Sequence, residues 1–200
     1  MNMAIDEALL GSIEAPILRV YRWARPAVSF GYFERWQPIR QEHPTRDPVR
    51  RWTGGGVVLH GEDFTYSLLI PREIDTTAPG ESYRVIHAAL CRALGETGLA
   101  AEPAGASPAT KRSQACFENP VLHDVLLGGR KVAGAAQRRT RTGLLHQGSV
   151  QTLEINFNFP ARFASHLAAE VRADFLDVVA EAEKLAGAKY GTQNWLERLA

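Results

Sequence analysis

Arg50-Arg51-Trp52-Thr53-Gly54-Gly55-Gly56-Val57-Val58-Leu59-His60-Gly61-Glu62-Asp63-Phe64-Thr65-Tyr66-Ser67 is the stretch on which the fold reading turns. Its three consecutive glycines free the backbone for positive φ and let another molecule approach the main chain with no Cβ in the way. Val57-Val58-Leu59 follows at once, and Phe64 to Ile70 comes after a short polar gap. Both runs are apolar, β-branched or aromatic, which predicts strands. A glycine loop held between two buried strands is a rigid place to lay a ligand. A tight hairpin or bulge is the plainer reading of a lone triplet.

Upstream, Ile17 to Trp23 predicts a strand and Ala27 to Phe33 its neighbour, while Met3 to Leu10 patterns as a short amphipathic helix. Pro38 to Pro48 carries three prolines and predicts a surface connection. Downstream, Tyr83, Ile86, Leu90, Ala93 and Leu94 fall on one face of a helix over 81–97, with Gly98 as its stop. Glu102 to Ser113, rich in Ala, Pro, Ser and Gly, predicts a loop that orders over a site. A β-meander follows: Val121 to Leu127, the Gly128-Gly129 turn, Arg130 to Gln137, a turn at Thr140 to Gly143, and Leu144 to Leu153. From about residue 160 the chain becomes helical again. Strands in the middle and helices around them predict one α/β domain over 1–200, with a mixed, largely antiparallel sheet flanked by helices.

Composition narrows the function class. A formal net charge of +1 gives no global drive toward nucleic acid or membrane. No apolar run approaches the ~20 residues of a membrane span, and acids stand near the start where a secretory segment would be basic. The two cysteines, Cys91 and Cys116, are too few for a disulfide framework and predict a reducing, cytoplasmic setting. Metal-ligand spacing is absent, so no metal is expected.

Two elements carry chemistry. Cys116, in Ala115-Cys116-Phe117-Glu118-Asn119-Pro120, leaves the loop just before the meander, with Lys111, Arg112, Arg130 and Lys131 within sequence reach. Positive charge nearby favours the thiolate and makes a thiol nucleophilic; an unreactive buried thiol is the plain alternative. Lys131 begins a strand that continues Val132-Ala133-Gly134-Ala135-Ala136-Gln137, small residues that keep one side of the sheet open. A lysine over such a floor can hold a carbonyl or carboxylate oxygen, whereas an edge-strand lysine only discourages aggregation. The Arg138, Arg139 and Arg141 cluster is solvated surface or a dock for an acidic carrier. His60 and His146 are proton carriers or satisfied structural histidines.

Taken together and in order, several segments resemble the biotin/lipoate protein ligase and octanoyltransferase superfamily, whose catalytic domain has a fold like that of class II aminoacyl-tRNA synthetases. They are Asn2 to Leu10, Ser29-Phe30-Gly31-Tyr32-Phe33, Arg50 to Gly56 with His60 and Thr65-Tyr66-Ser67, and Gly129 to Gln137. Ala115-Cys116-Phe117 with Pro120 is similar to the signature of its cysteine-dependent octanoyltransferases.

The resemblance implies an enzyme that takes octanoate from acyl carrier protein through a Cys116 thioester. The acceptor is a lysine of a 2-oxoacid dehydrogenase E2 lipoyl domain or of glycine-cleavage H protein. Lys131 would sit at the acyl carbonyl. Substrate contacts would come from Arg51, Thr53, Gly54, Gly55, Gly56, His60, Thr65, Tyr66, Val132, Ala133, Gly134, Ala135, Gln137, His146 and Gly148. The acyl slot would be lined by Ala133, Ala135 and the Val57-Val58 strand, and no cofactor is required. An ATP- and Mg-dependent lipoate–protein ligase, a lipoyl-carrier amidotransferase and a non-catalytic acyl-carrier-binding module are the alternatives. Gly61 stands where the family often has an acid, and Gln147 where it usually has the histidine of a His-Gly pair.

Overall fold

A computed structural model describes residues 1–75, 77–105, 120–151, 153–173 and 177–199, apart from the Pro79 side chain. Its main sheet has six strands in the order β1-β5-β9-β8-β7-β6, every neighbouring pair antiparallel. These are β1 (Ile17–Tyr21), β5 (Phe64–Pro71), β6 (Ala101–Pro103), β7 (Val125–Leu127), β8 (Arg130–Arg139) and β9 (Gly143–Val150). The predicted meander is β7-β8-β9. Its first turn rests on Gly128 and Gly129, both at positive φ (56° and 76°), the backbone that a two-residue hairpin turn demands.

A second sheet of three strands holds β2 (Ala27–Phe30) between β3 (Asp47–Arg50), which runs parallel to it, and β4 (Val58–His60). Three expectations are therefore revised. Ala27–Phe30 does not neighbour Ile17–Tyr21; Phe64–Pro71 takes that place, in the other sheet. The glycine triplet joins β3 to β4, and β4 does not pair with β5. The proline-bearing stretch is ordered as helix α2 (Trp36–Glu42) followed by β3. Trp36 and Ile39 bury against Val28, Phe30 and Val57, and that packing outweighs the local breakers.

Helix α1 (Asn2–Leu10) covers one face of the main sheet and contacts β5, β9 and α5 (Val179–Leu185). The predicted central helix is α3 (Pro79–Gly95), which packs with α4 (Phe159–Leu167) on the opposite face. The largest core lies there, joining Tyr66, Leu68, Ile86, Leu90, Leu94, Val125, Val132, Phe159 and Phe163. Cys91 belongs to that core, and burial pushes its thiol up to about 11. Among the described residues no helix is long and apolar enough to cross a membrane.

Strand register decides which side chains share a face, because cross-strand partners point the same way and alternation is strict. Gly134, Ala136, Gln147, Ser149, Thr65 and Ser67 thus face α1 and the small sheet. Ala133, Ala135, Gln137, His146, Gly148 and Tyr66 face α3 and α4. One irregularity breaks the alternation. Lys131 pairs with Leu126 and Ala133 with Val125, which leaves Val132 as a bulge. Val132 and Ala133 both enter the helix-side core. The bulge therefore carries Lys131 to the face of Gly134, where an unbroken strand would have set them apart.

Candidate functional site

The glycine-rich loop crosses the small sheet at closest approach. A Cβ on Gly31 would lie 1.9 Å from the carbonyl oxygen of Gly55, so the loop passes where no side chain fits. Gly55 takes φ +82°, and a Cβ there would meet the Cβ of Ala136 at 3.4 Å. The loop is thus laid between Gly31 and the α1-side face of β8.

Buried polar side chains hold it there. Arg51, 6% exposed, donates Nη2 to the carbonyls of Gly54 (3.0 Å) and Gly56 (2.8 Å) and Nη1 to Ser29 Oγ (2.7 Å). Arg50, also buried, donates to the carbonyls of Tyr32 and Glu34 and, at the far end of the chain, Leu196. Thr53 donates its hydroxyl to Gln147 Oε1 (2.8 Å), and Gln147 Nε2 donates to Asp6 Oδ2 (2.7 Å). Asp6 lies fully buried in α1 and also takes Arg19 Nη1 at 2.8 Å and the Ser67 hydroxyl at 2.6 Å. Burial raises the Asp6 carboxyl pKa, with the Arg19 charge and these hydrogen bonds opposing. Gln147 therefore ties the loop to α1.

The acid expected next to the histidine is supplied from Asp63 rather than from position 61. His60 Nδ1 lies 2.8 Å from Asp63 Oδ2, which also accepts the hydroxyls of Thr65 and Ser149. Burial pushes the Asp63 carboxyl up, but the His60, Ser149 and Gly61 hydrogen bonds outweigh it and hold it at about 2. Burial lowers His60 below the ordinary histidine value, with Asp63 opposing.

On the same face, Lys131 Nζ pairs with Asp124 Oδ2 at 2.7 Å, each side chain only 4% exposed. Asp124 also accepts the Val121 N–H at 2.7 Å. The lysine folds over Gly134, where a Cβ would sit 2.8 Å from its Cε and 3.0 Å from Nζ. A buried cation above a bare patch of strand can hold an anionic or carbonyl oxygen by a short, charge-assisted hydrogen bond.

The remaining predicted residues lie through the sheet. Arg139 donates to Ser82 Oγ, which must then donate to Gln137 Oε1 (3.0 Å each), since an arginine cannot accept. Gln137 Nε2 donates to His146 Nδ1 at 2.8 Å, so His146 carries its proton on Nε2, facing the Tyr66 hydroxyl at 3.3 Å. Burial drives His146 well below its ordinary value, with nearby His87 adding to the effect. Tyr66 is seated on Gly148, where a Cβ would come 2.3 Å from the ring.

Arg51, Thr53, Gly54, Gly55, Gly56, His60, Thr65, Lys131 and Gly134 thus gather on one face, and Tyr66, Ala133, Ala135, Gln137, His146 and Gly148 on the other. Val57 packs with Val28 and Phe30 while Ala133 packs with Val125 and Phe163, so the two do not share a slot. Cys116 lies outside the described residues. Among the described residues no cluster of three or more His, Cys, Asp and Glu is placed to hold a metal.

Asp6, Ser29, Asp124 and His87 were not predicted as site residues, although Asp6 and Ser29 lie in segments that carry the family resemblance. Asp6 left a trace, as an acid on the stripe of Met3 and Leu10. His87, 1% exposed, shares its Nδ1 with the His123 carbonyl at 2.5 Å and looks like any helical histidine in sequence.

Residues 1–188 match the family described as Lipoyl protein ligase A/B catalytic domain. The chain is 36% identical over 181 residues to octanoyltransferase LipM of Oceanobacillus iheyensis, covering 80% of this chain and 65% of that protein. For LipM of Kyrpidia tusciae the identity is 34% over 223 aligned positions, spanning all of this chain and 80% of the relative. Against the first relatives it matches, the chain spans just under two thirds of their length, 65% and 63%. In fold it is similar to Ta0514 of T. acidophilum, a putative lipoate protein ligase with bound lipoic acid: TM-score 0.79, 20% identity, 100% of this chain and 94% of that one. A lipoate-protein ligase A bound with ATP superposes at TM-score 0.80 and 20% identity over 99% of this chain and 93% of the other.

Proposed function

Because the chain belongs to the lipoyl protein ligase A/B catalytic-domain family, we propose that it is an octanoyltransferase of protein lipoylation. In this reading the Cys116 thiolate attacks the thioester of an octanoyl carrier protein. The acyl–sulfur bond moves to Cys116 and the carrier thiol leaves. A lysine amine of a lipoyl domain or H protein then attacks, forming an amide and releasing the Cys116 thiol. The first exchange replaces one thioester with another and the second ends in a more stable amide, so neither ATP nor magnesium enters.

One observation carries the reading: a buried ammonium, Lys131, held by Asp124 above bare Gly134 on the face that carries the glycine-rich loop. That cation stabilises the carbonyl oxygen as it gains charge, and its field favours a thiolate brought to it. Gly31 and Ala136 let the loop backbone lie close against β2 and β8, and in this reading that backbone, not side chains, meets the ligand. The identity to octanoyltransferases supports the substrate class.

The test is intact-mass spectrometry of purified protein given octanoyl carrier protein without ATP. One octanoyl adduct is expected, absent from Cys116→Ala and chased off by a lipoyl domain. Modification that requires ATP with free octanoate or lipoate would assign the chain to the ligases. Inertness under both conditions would leave a carrier-binding module.

A further inference from the structure

Ser29, His60 and Asp63 stand in the arrangement of a serine-hydrolase triad, with Ser29 Oγ 2.6 Å from His60 Nε2 and His60 Nδ1 2.8 Å from Asp63 Oδ2. They are not a nucleophile. Ser29 is 1% exposed, and its oxygen is capped by Arg51 Nη1 at 2.7 Å. The Asp63 carboxylate only accepts, so His60 donates its Nδ1–H there, and the neutral imidazole keeps its lone pair on Nε2. Ser29 then donates its hydroxyl hydrogen to Nε2 and accepts from Arg51, which only donates. The other arm of the same guanidinium holds the carbonyls of Gly54 and Gly56.

We infer that His60 is a positioning residue for the glycine-rich loop, acting through Ser29 and Arg51 from an anchor at Asp63. The inference rests on the ligand-holding role given to that loop above and adds the device that sets its shape. A neutral His60 gives the Ser29 hydroxyl an acceptor and leaves one oxygen lone pair aimed at Arg51. A protonated His60 turns Nε2 into a donor, so the Ser29 hydroxyl loses its acceptor and its oxygen faces two cations. The groups facing the imidazole are few. Asp63 lies on one edge and Ser29 with Arg51 on the other. The Arg46 guanidinium is bonded to the His60 carbonyl at 2.8 Å, and the Trp23 ring stacks on the imidazole at 4.1 Å with no charge of its own. Asp63 is the only carboxylate among them, and its other bonds to Thr65 and Ser149 tie it to β5 and β9. Protonation therefore sets a positive imidazole against Arg51 and loosens the grip on the loop, while the anchor at Asp63 stays.

Three variants and two readouts test this. His60→Gln keeps an acceptor for Ser29 and cannot titrate; His60→Leu and Ser29→Ala remove the link. Hydrogen–deuterium exchange across residues 53–57 reads the loop without reference to activity. Exchange there is expected to rise about tenfold in His60→Leu and Ser29→Ala and to stay near wild type in His60→Gln. For octanoyl transfer, KM for the donor is expected to rise about five- to tenfold in the two broken variants, with kcat within about twofold. Lowering pH from 7.5 to 5.5 is expected to raise wild-type KM and to lower loop protection relative to the intrinsic exchange rate at each pH, and to leave both flat in His60→Gln. Equal loop exchange in all four proteins would overturn the inference. A loss of kcat with unchanged KM would do so as well. If wild type transfers no octanoate, the exchange data still decide the point, so failure of the function and failure of the positioning role are separable.

Discussion

Lys131 and Gly134 sit three positions apart on β8 and yet share a face, with the lysine Nζ 3.0 Å from where a glycine Cβ would be. The bulge at Val132 produces this, and the missing side chain at position 134 gives the ammonium its resting place. Gly134→Ala forces the lysine tip aside without touching backbone, since the nearest atoms are Lys131 Cε and Nζ and Asp124 Oδ1. Stability should change by less than about 1 kcal/mol, read by thermal melting. Octanoyl transfer should fall on the order of 10²-fold, as expected when a catalytic charge moves by about 1 Å. A variant with wild-type turnover would show that the position of Nζ is immaterial.

Removing the counter-ion has the opposite signature. Asp124 and Lys131 are both almost fully buried, so Asp124→Ala removes a carboxylate from a buried ammonium and deprives the Val121 N–H of its acceptor. The expected cost is about 3 kcal/mol, a fall in Tm of roughly 6–12 °C for a chain of this size. Lys131→Met keeps the side chain's bulk but takes the cation from a buried Asp124, so it should cost a similar amount of stability while abolishing transfer.

Gly148→Ala tests the seat of Tyr66. The added Cβ would lie 2.3 Å from the ring of a residue with no exposed surface and no room to swing, boxed by Phe163 and His146. Overpacking of this kind costs about 1–3 kcal/mol. In a double-mutant cycle, Tyr66→Ala should relieve part of it, with a coupling of about 0.5–2 kcal/mol. Strict additivity by denaturant titration would show the clash to be imaginary.

Gln147→Leu removes a donor to Asp6 and an acceptor of Thr53 in one step, inside the core. About 1–3 kcal/mol of stability should go. Gln147→Glu should be worse than Leu, because it places a second carboxyl against Asp6, whose own carboxyl is already strained toward the neutral form. Urea denaturation of the two variants orders them directly.

Acid should unfold this protein early, because His60, His87 and His146 are buried and each is held below its ordinary value by desolvation. In the unfolded chain all three take protons near pH 6.5; in the native state they resist. Their native pKa values are depressed, so their contribution is intact above pH 6.5 and drains away as pH falls toward the native values. The unfolded state binds more protons there, and stability therefore rises with pH. Denaturant midpoints between pH 7.5 and 5 should fall, and less steeply in His60→Gln.

Much of the architecture was readable because local pattern and tertiary fate agree. The meander, with paired glycines at its turn, and the 3.6-residue stripe of the central helix state their own structure. β2 and β4 were readable as strands, but their assembly with β3 into a small sheet was not, since β2, β3 and β4 are four, four and three residues long and β2 finds its partners across loops. At the site, the glycine triplet and the lysine before small residues mark where the backbone packs at close approach. Alternation alone mis-sorts them, because a bulge is invisible in sequence and moves a side chain through the sheet. The polar anchors Asp6, Ser29 and Asp124 are single common residues whose meaning comes only from burial and from partners far along the chain.

Thr53 meets Gln147 across 94 positions, and Gln147 meets Asp6 across 141. Contacts that distant close large loops in the unfolded chain and form only after much of the backbone is ordered. Arg51 shapes the glycine-rich loop from close by in sequence, but its seat against α1 waits for these distant partners. During refolding, protection of the loop amides should therefore trail that of the β8–β9 hairpin. A nascent chain that has made only its first hundred residues has Arg51 to hold the loop but lacks the Gln147 that ties it to α1.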